Sequence, residues 1–403
     1  MNVSVAQENL AKGLGMATRA VAARNPLPIL GNVLLATDEA GQLRLAATDL
    51  ELAITCWIAA KVEAPMAITV PARTLVDLVN TLPTDRVNLT FNQKTQTLAL
   101  ACGRVRANLK GIDAQDFPAI RRADLAQGID IPAETLKEML DHVLFAAGAD
   151  QARPILTGVK VEIKGDVVIL AASDGFRLAL QAARLARAAP EPLTLVIPAR
   201  SLSELRRLLT ADEPVVLCLP AGRGQAIFHH GTAEVVMQLI DGAFPEYGAI
   251  IPRQVATRAV LDTAEFRKAC RAADIFAREV DHSVRIQIGA ASLTLLSSGA
   301  ETGDNRAELA ATVEGGPIEV AFNVKYVLDA LNQMPGEQVA LEVATPTSPG
   351  AIKPVGRDDY LVIVMPLHTP GSSRGPAAVE TAMAEGAEAV SISAQTVPEA
   401  TAA

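Results

Sequence analysis

One motif occurs three times in this chain of 403 residues, at a nearly constant spacing. Val70–Arg73 reads VPAR, Ile197–Arg200 reads IPAR, and Phe322–Lys325 is a weaker version that reads FNVK. A second landmark keeps the same spacing, because Thr48-Asp49 returns as Ser173-Asp174. These offsets of 125 to 127 residues are too long for a solenoid unit and match the size of a whole domain. The sequence therefore predicts three similar domains in tandem.

Each copy also shows the same order of predicted elements. An amphipathic helix comes early, short strands rich in Val, Ile, Leu and Thr follow, and a second helix begins just after the repeated motif. Strands in hairpin succession with two helices per copy indicate an α+β fold, in which the two helices pack on antiparallel sheets. The first helices are predicted at Gln7–Ala22, Ala133–Ala147 and Thr263–Ala277, and the second helices at Thr74–Leu82, Ser201–Leu209 and Tyr326–Met334.

Changes in composition place the domain boundaries. We expect the three domains at residues 1–124, 125–251 and 252–368. From Thr369 onward Pro, Gly, Ser, Ala and Glu dominate the sequence. Such a segment buries too little apolar surface to offset its ordering entropy, so residues 369–403 are predicted to be a disordered tail.

Composition also limits the compartment and the redox chemistry. Half of the residues are hydrophobic, which is enough for a core in each copy, yet no apolar run is long enough to span a bilayer. The N-terminus lacks the basic and apolar regions of an export signal. The four cysteines lie far apart and form no C-x-x-C pair, so buried reduced thiols are expected. Together these features predict a cytoplasmic protein.

The net charge of −9 is unusual for a nucleic-acid-binding protein. It is a weak argument against that function, because affinity depends on where charges lie rather than on their sum. A protein can present a basic inner surface and an acidic outer one. Composition therefore lowers the expectation of DNA binding without excluding it.

The sequence contains no recognisable active site. The phosphate-binding loop, the dinucleotide-binding glycine motif and the hydrolase serine elbow are absent, and the five histidines show no metal-ligand spacing. Asp49 and Glu51 are either paired acids on one strand face or part of a turn in which Asp49 accepts backbone N–H bonds. We favour the turn, because the matching stretch of the third copy has no acid. The sequence thus predicts no enzyme, no metal and no cofactor.

Seven segments, in order and at matching spacing, resemble one known family. The chain closely resembles the bacterial DNA polymerase sliding clamps, the beta subunits of the replicative DNA polymerase III holoenzyme. The resemblance implies a DNA-clamp fold and a head-to-tail homodimer, a six-domain ring that encircles duplex DNA without catalysing a reaction. The segments are Leu27–Asn32, Thr48–Glu51, Val70–Arg73, Ser173–Leu178, Phe244–Tyr247, Phe322–Asp329 and Val364–Leu367.

The resemblance also implies partners and a mode of DNA contact. The expected partners are the DNA polymerase III alpha subunit, the clamp-loader complex, and repair and translesion polymerases. A contact that slides must be independent of base sequence, so it should rest on phosphates. Basic residues recur on the predicted helices, and for each of them an ordinary solvated charge is the alternative. These residues are Lys12, Arg19, Arg73, Lys137, Arg200, Arg206, Arg207, Arg267, Lys268, Arg271 and Lys325.

Two loops complete the expected DNA contacts, on the strength of the resemblance alone. Arg24 matches a loop position that contacts DNA in the family, and Gln151 and Arg153 lie in the corresponding loop of the second domain. Pro154 and Ile155 replace aromatic residues that some members have there, so a stacking contact is not expected.

The resemblance further implies a pocket between the second and third domains that receives short linear peptides from partners. For its apolar members, a place in the ordinary core is the alternative. Phe176 replaces a more polar residue common in relatives, so an altered peptide preference is expected. The residues after Leu367 begin beside the pocket and are a candidate shield for it. The pocket residues are Leu156, Ser173, Gly175, Phe176, Arg177, Leu178, Pro245, Ala249, Ile250, Ile363, Val364, Met365, Pro366 and Leu367.

One alternative function remains open from the sequence: a clamp-fold protein-interaction scaffold that does not encircle DNA. Loss of basic residues from the inner helices would be its signature, and such residues are present although sparse in the first domain. For a ring, the contact between copies is expected to join the first domain to the third through edge strands near Val105–Leu109 and Ser292–Leu296.

Overall fold

The computed structural model describes residues 2–22, 27–211, 213–220, 222 and 224–367. Arg24 and the predicted tail at residues 369–403 therefore lie outside the described residues.

Each repeat contains two α-helices and a succession of antiparallel strands, which confirms the predicted α+β class. The first repeat comprises β1 (Asn2–Ala6), α1 (Gln7–Ala17), β2 (Asn32–Thr37), β3 (Gln42–Thr48), β4 (Leu52–Ala59), β5 (Lys61–Val62), β6 (Ala67–Pro71), α2 (Ala72–Thr81), β7 (Arg86–Asn92), β8 (Thr97–Cys102), β9 (Val105–Lys110) and β10 (Ile112–Asp113). The central repeat comprises β11 (Ile129–Ile131), α3 (Ala133–Val143), β12 (Gly158–Lys164), β13 (Val167–Ser173), β14 (Arg177–Arg184), β15 (Leu193–Pro198), α4 (Ala199–Leu208), β16 (Val215–Cys218), β17 (Gln225–His230) and β18 (Ala233–Gln238). The third repeat comprises β19 (Thr257–Asp262), α5 (Thr263–Ala277), β20 (Ser283–Ile288), β21 (Ser292–Gly299), β22 (Gly303–Ala310), β23 (Thr312–Gly315), β24 (Ile318–Asn323), α6 (Val324–Gln333), β25 (Gln338–Val343), β26 (Gly350–Pro354) and β27 (Tyr360–Val364).

The helix ends differ from the predicted ones for local reasons. The predicted helix to Ala22 ends as α-helix at Ala17, where the Thr18 hydroxyl donates to the Leu14 carbonyl and a 3-10 turn follows. The second helix of each repeat begins two residues earlier than predicted, inside the repeated motif. In the third repeat the Asn323 side chain accepts from the Lys325 N–H and so caps α6.

Residues 1–137, 185–187 and 200–240 form one compact unit. It contains a five-stranded sheet of order β5-β1-β7-β8-β9 and a nine-stranded sheet of order β10-β6-β2-β3-β4-β18-β17-β16-β11. Pairing of β4 with β18 carries the larger sheet from the first repeat into the central repeat. Leu10 and Leu14 of α1 and Leu75 of α2 are buried in the core that these helices share with both sheets. Helical spacing of the apolar residues therefore sets which face each helix buries.

A glycine allows α1 to lie close against the nine-stranded sheet. A Cβ atom at Gly13 would lie 2.8 Å from Leu45 Cδ1 and 2.9 Å from Ile58 Cγ2. A larger side chain at this helix position would push α1 away from β3 and β4, so Gly13 fixes the depth of this packing.

Of the described residues, 138–184, 188–199 and 241–367 form the second compact unit. Its nine-stranded sheet has the order β15-β12-β13-β14-β27-β26-β25-β19-β23, and its four-stranded sheet has the order β22-β21-β20-β24. Pairing of β14 with β27, from Arg177↔Val364 to Gln181↔Tyr360, joins the central repeat to the third. Phe266 of α5 and Val327 of α6 are buried, so these two helices present their apolar faces to the core.

The edge strands correct one expectation. β9 is an edge of the five-stranded sheet, as the sequence predicted for Val105–Leu109. The prediction for Ser292–Leu296 was wrong, because β21 has a partner on each side, β20 and β22. The edges of this sheet are β22 and β24, and the alternating polar and small residues of β22 gave no apolar strand signal.

Two expectations from composition can be compared with the described residues. All four cysteines are free and buried, which confirms the prediction for the thiols. None of the helices in the described ranges is both long enough and apolar enough to cross a membrane.

Candidate nucleic-acid interface and partner pocket

The six α-helices carry more positive charge than the rest of the chain. They hold ten Lys and Arg residues and nine Asp and Glu residues, a net charge of +1, whereas the whole chain carries −9. The basic residues are concentrated on α4 and α5. The helices thus offer scattered cations rather than a continuous basic surface, and such a surface binds phosphates weakly.

In the first unit, acidic neighbours neutralise several of the predicted DNA-contact residues. Arg200 lies 3.2 Å from Asp49, and its side chain is still 67% exposed. Glu204 binds both Arg19, at 3.2 Å, and Arg207, at 2.7 Å. Arg206 is partly buried on the same helix. These side chains are at the surface, but much of their charge is already satisfied within the protein.

Lys12 and Arg73 differ from this group. Both are exposed, Lys12 in the middle of α1 and Arg73 in the first turn of α2. Neither forms an ion pair with any residue in the described ranges. Lys137 of α3 is likewise exposed without an ion pair among the described residues, so these three are the helix cations of the first unit best placed to meet an external phosphate.

In the second unit, the predicted residues divide between structural and surface roles. The Arg267 guanidinium donates to the Leu331 carbonyl at 2.6 and 3.1 Å, near the C-terminus of α6. This contact satisfies a carbonyl at the helix end, so Arg267 joins α5 to α6. Arg271 is exposed and approaches Asn332 at 3.5 Å, and Lys325 is exposed in the first turn of α6 without an ion pair among the described residues.

The loop before β12 places the remaining residues predicted from the resemblance. Gln151 and Arg153 are both exposed. Arg153 lies 3.6 Å from Asp150 and donates to the Asp174 carbonyl at 3.4 Å. Arg153 therefore lies beside the turn that begins the pocket.

The same turn occurs at both junctions between repeats. Asp49 Oδ1 accepts the N–H groups of Glu51 and Leu52, which confirms that Asp49 is a turn residue rather than one of two paired acids. Asp174 Oδ1 accepts the N–H groups of Phe176 and Arg177 in the equivalent turn. The repeated Thr/Ser-Asp pair thus builds a backbone shape that the two repeats share.

Several of the predicted pocket residues lie together where β14 pairs with β27: Arg177 and Leu178 pair with Val364 and Ile363, and Ile250 packs on the same core cluster as Leu178. Met365 donates its N–H to the Phe176 carbonyl at 2.9 Å and so extends this pairing past the end of β27. Leu156, Ser173, Leu178, Ile363 and Val364 are buried, and Leu178 and Ile363 are 0% exposed in one core cluster. The burial of these five residues agrees with the alternative that they are ordinary core residues. The exposed or partly exposed members are Gly175, Phe176, Arg177, Pro245, Ala249, Ile250, Met365, Pro366 and Leu367.

Aromatic rings and carboxylates surround Arg177 at the rim of the pocket. Its guanidinium binds Asp174 at 3.0 Å and also binds Asp329 of α6. It lies over the rings of Phe145 and Tyr326, 5.4 and 4.8 Å from their centroids. Arg177 therefore ties the turn of the central repeat to α6 of the third.

Tyr326 also stacks on an exposed aromatic ring. The ring centroids of Phe176 and Tyr326 are 6.4 Å apart at an interplanar angle of 17°, and Phe176 is 52% exposed. Burial, followed by the nearby Asp174 carboxylate, raises the pKa of Tyr326 above its ordinary value, so its hydroxyl stays protonated at neutral pH. The two rings form an apolar shelf beside the pocket.

Sequence reasoning missed Phe145, Tyr326 and Asp329 as members of this site. Tyr326 and Asp329 lie in a segment that carried the family resemblance, and the four-residue spacing from Lys325 to Asp329 on one helix was a usable signal. Phe145 gave no signal, because its position in a 3-10 turn after α3 breaks the helical spacing. No cluster of three or more potential metal ligands occurs within the described ranges.

The sequence of the chain matches the domains of one protein family. The N-terminal domain of the DNA polymerase III beta subunit matches residues 1–121, its central domain matches 130–246, and its C-terminal domain matches 248–368. The chain belongs to the family of DNA polymerase III beta subunits.

Individual relatives agree with this assignment. The beta sliding clamp of Synechococcus elongatus is 32% identical over 375 residues, which are 91% of this chain and 99% of the relative. The beta sliding clamp of Caulobacter vibrioides is 32% identical over 373 residues, which are 91% of this chain and 100% of the relative. The crystal structure of the Pseudomonas aeruginosa sliding clamp bound to griselimycin superposes with a TM-score of 0.86 at 30% identity, covering 92% of this chain and 100% of that one.

Proposed function

We propose that two copies of this chain form a closed ring around duplex DNA and tether the replicative polymerase to it. The observation that carries the proposal is the match to beta sliding clamps over 99–100% of their length. The ring acts in the cytoplasm as a processivity subunit without catalytic activity. A tether of this kind raises the local concentration of polymerase at the DNA without gripping any base sequence.

The exposed cations of the helices support loose contact with the DNA backbone. Lys12, Arg73, Lys137, Lys268 and Lys325 are all exposed and form no ion pair with a residue in the described ranges, so they are the primary contacts in this proposal. Arg200, Arg206, Arg207 and Arg271 contribute less, because acidic or amide neighbours compete with phosphate. Gln151 and Arg153, and Arg24 outside the described residues, would add loop contacts. Few unsatisfied charges make a weak, salt-sensitive interaction, which suits sliding.

The two edge strands support ring closure between copies. β9 exposes Arg106 and Lys110, and β22 exposes Asp304 and Glu308 on either side of Arg306, so β22 keeps a net negative charge among these three residues. An unpaired strand edge is a template for pairing with another chain, and opposite charges favour β9 against β22 over either strand against itself. Ile275 near the end of α5 and Val280 in the 3-10 turn that follows it are also exposed and offer apolar area in the same repeat.

Charge reversal tests this closure. R106E/K110E on β9 and D304K/E308K on β22 should each shift the chain from dimer to monomer in sedimentation velocity. A heterodimer in a mixture of the two variants has opposite charges at both junctions, and so does a dimer of a chain that combines all four changes. The dimer should therefore return in the combined variant. Single-strand variants that each still dimerise alone, or a combined variant that stays monomeric, would disprove the pairing.

The exposed pocket residues support docking of partner peptides. Phe176, Ile250 and Pro245 offer apolar contact, and Met365, bonded to Phe176 through the backbone, adds an adaptable side chain next to Pro366. The proposed occupants are peptide segments of the polymerase III alpha subunit, the clamp loader, and repair and translesion polymerases.

Retention on DNA tests the function as a whole. The chain is loaded on nicked circular plasmid by the clamp loader, half of the sample is linearised, and both are filtered in moderate salt. Retention on the circle with loss from the linear form is the expected result. Equal loss from both would contradict encirclement and favour a clamp-fold scaffold that does not surround DNA.

A further inference from the structure

We propose that residues Glu385–Ser393 of the same chain occupy the partner pocket and compete there with partner peptides. This inference rests on the proposed docking function of the pocket. It adds an occupant that is part of the chain itself.

The competing segment is additional to what the family shares. The alignments with relatives cover 99–100% of the relatives but only 91% of this chain, and the match to the family's C-terminal domain ends at residue 368. Residues 369–403 lie outside the described residues, so their sequence and their point of attachment carry the argument.

The chain reaches that segment directly from the wall of the pocket. Met365 donates its N–H to Phe176, Pro366 pairs with Phe322, and Leu367 donates its N–H to the Ala321 carbonyl at 2.8 Å. These bonds hold the last described residues beside the Phe176–Tyr326 shelf. Any segment that follows them is therefore attached at the pocket.

Attachment makes even a weak contact effective. Twenty-one residues separate His368 from Val390, and a flexible linker of that length has a root-mean-square extension of about 25 Å. At such lengths the effective concentration is about 1 mM. A segment with an intrinsic Kd of about 0.3 mM would then raise the apparent Kd of a competing peptide about fourfold.

The chemistry of the segment complements the pocket. Val390 and Ile392 alternate with serines, so an extended segment presents both to one face, as the shelf requires. Residues 369–403 contain four Glu and one Arg. Lys325, next to Tyr326 in sequence, is exposed without an ion pair among the described residues, and Arg153, beside the Asp174 turn, has one carboxylate neighbour, Asp150, whereas Arg177 is already bound by two carboxylates. An acidic apolar segment therefore fits this rim better than a basic one.

The test compares full-length chain, the full-length variant V390D/I392D, and a chain lacking residues 370–403, which keeps the whole family region. The variant S372D/S373D is the control, because it adds the same charge outside the proposed segment. Each is titrated into a fluorescein-labelled peptide carrying the clamp-binding segment of the organism's polymerase III alpha subunit. Fluorescence polarisation gives the apparent Kd.

The expected result is peptide binding about fourfold tighter in V390D/I392D and in the shortened chain, with S372D/S373D equal to the full-length chain. Hydrogen exchange should also become faster in the segment Ser173–Leu178 when residues 370–403 are removed. Equal peptide Kd values and equal exchange in all chains would overturn the proposal. Failure of every chain to bind peptide would instead refute the docking function, and exchange would still report on the attached segment.

Discussion

Replacing Arg177 should loosen the strand pairing that joins the central and third repeats. The R177M change keeps an unbranched side chain of moderate length and removes the guanidinium. The Asp174 bond that it loses is largely shielded from water, with 11% and 17% side-chain exposure for the two partners. A charge-assisted bond of this kind contributes about 1.5–3 kcal/mol. Each of the two ring contacts adds about 0.5–1 kcal/mol.

The Asp329 pair adds little to this sum. Its carboxylate is 43% exposed, so solvent screening limits the contribution to at most about 1 kcal/mol. Asp174 also keeps its two backbone N–H bonds after the change. We therefore expect the free energy of local opening to fall by about 3 kcal/mol. This corresponds to amide exchange more than about 100-fold faster, at about 1.4 kcal/mol per tenfold change.

Hydrogen exchange read on peptic fragments covering β14 and β27 measures this opening. R184M is the matched control, because Arg184 lies at the other end of β14 and pairs with Asp166 at the surface, with side-chain exposures of 44% and 47%. The control should change exchange by less than about threefold. If R177M behaves like R184M, the guanidinium does not hold the junction and the reasoning is refuted.

Three further outcomes follow from contacts in the second unit. K325A should weaken DNA binding several-fold at low salt and reduce the slope of log affinity against log salt by about 1, as measured by fluorescence anisotropy; an unchanged slope would exclude a phosphate contact. Burial raises the pKa of the Asp359 carboxyl, but hydrogen bonds from Arg357 outweigh burial and leave it below its ordinary 3.8. The ion pair of Asp359 with Arg357 therefore contributes its full stabilisation above about pH 4, and this contribution is lost as the pH falls through the pKa of Asp359 in the folded protein. The melting temperature of D359N, measured over a series of pH values, should therefore fall less on acidification than that of the unchanged chain. G350A should destabilise the chain by about 1–3 kcal/mol in urea, because its Cβ would lie 2.4 Å from the Phe322 ring; a change below about 0.5 kcal/mol would show that the ring can move.

The repeat and the hydrophobic spacing made the fold predictable from the sequence. A landmark such as Asp49, which recurs as Asp174, marks the same turn in two copies, and the structure shows the same bonds in both. Residues buried at helical spacing, such as Leu10 and Leu14, follow from local pattern alone. Each of these features depends on residues that are close together in the sequence, and such local patterns can be read from a single sequence.

The composition of the site was less predictable, because its contacts join distant residues. Arg177 meets Asp329 across 152 positions, and no local pattern encodes that pairing. Arg267 looked like a surface cation on one helix, but its partner is a backbone carbonyl on another. The edge at β22 was misplaced for a related reason, since the order of strands in a sheet is set by pairing between them rather than by the apolar content of any one strand.

The strand pairing between repeats makes the covalent linker at that junction redundant. β14 and β27 are joined by five residue pairs, while the connection from the central repeat to the third ends in an exposed stretch at residues 253–256. A protease cut near Val255, which is exposed, would leave the two pieces held by that ladder and by the core beneath it. The same junction offers a place to divide the gene into two fragments that reassemble when expressed together, or to move the chain termini without altering the sheet.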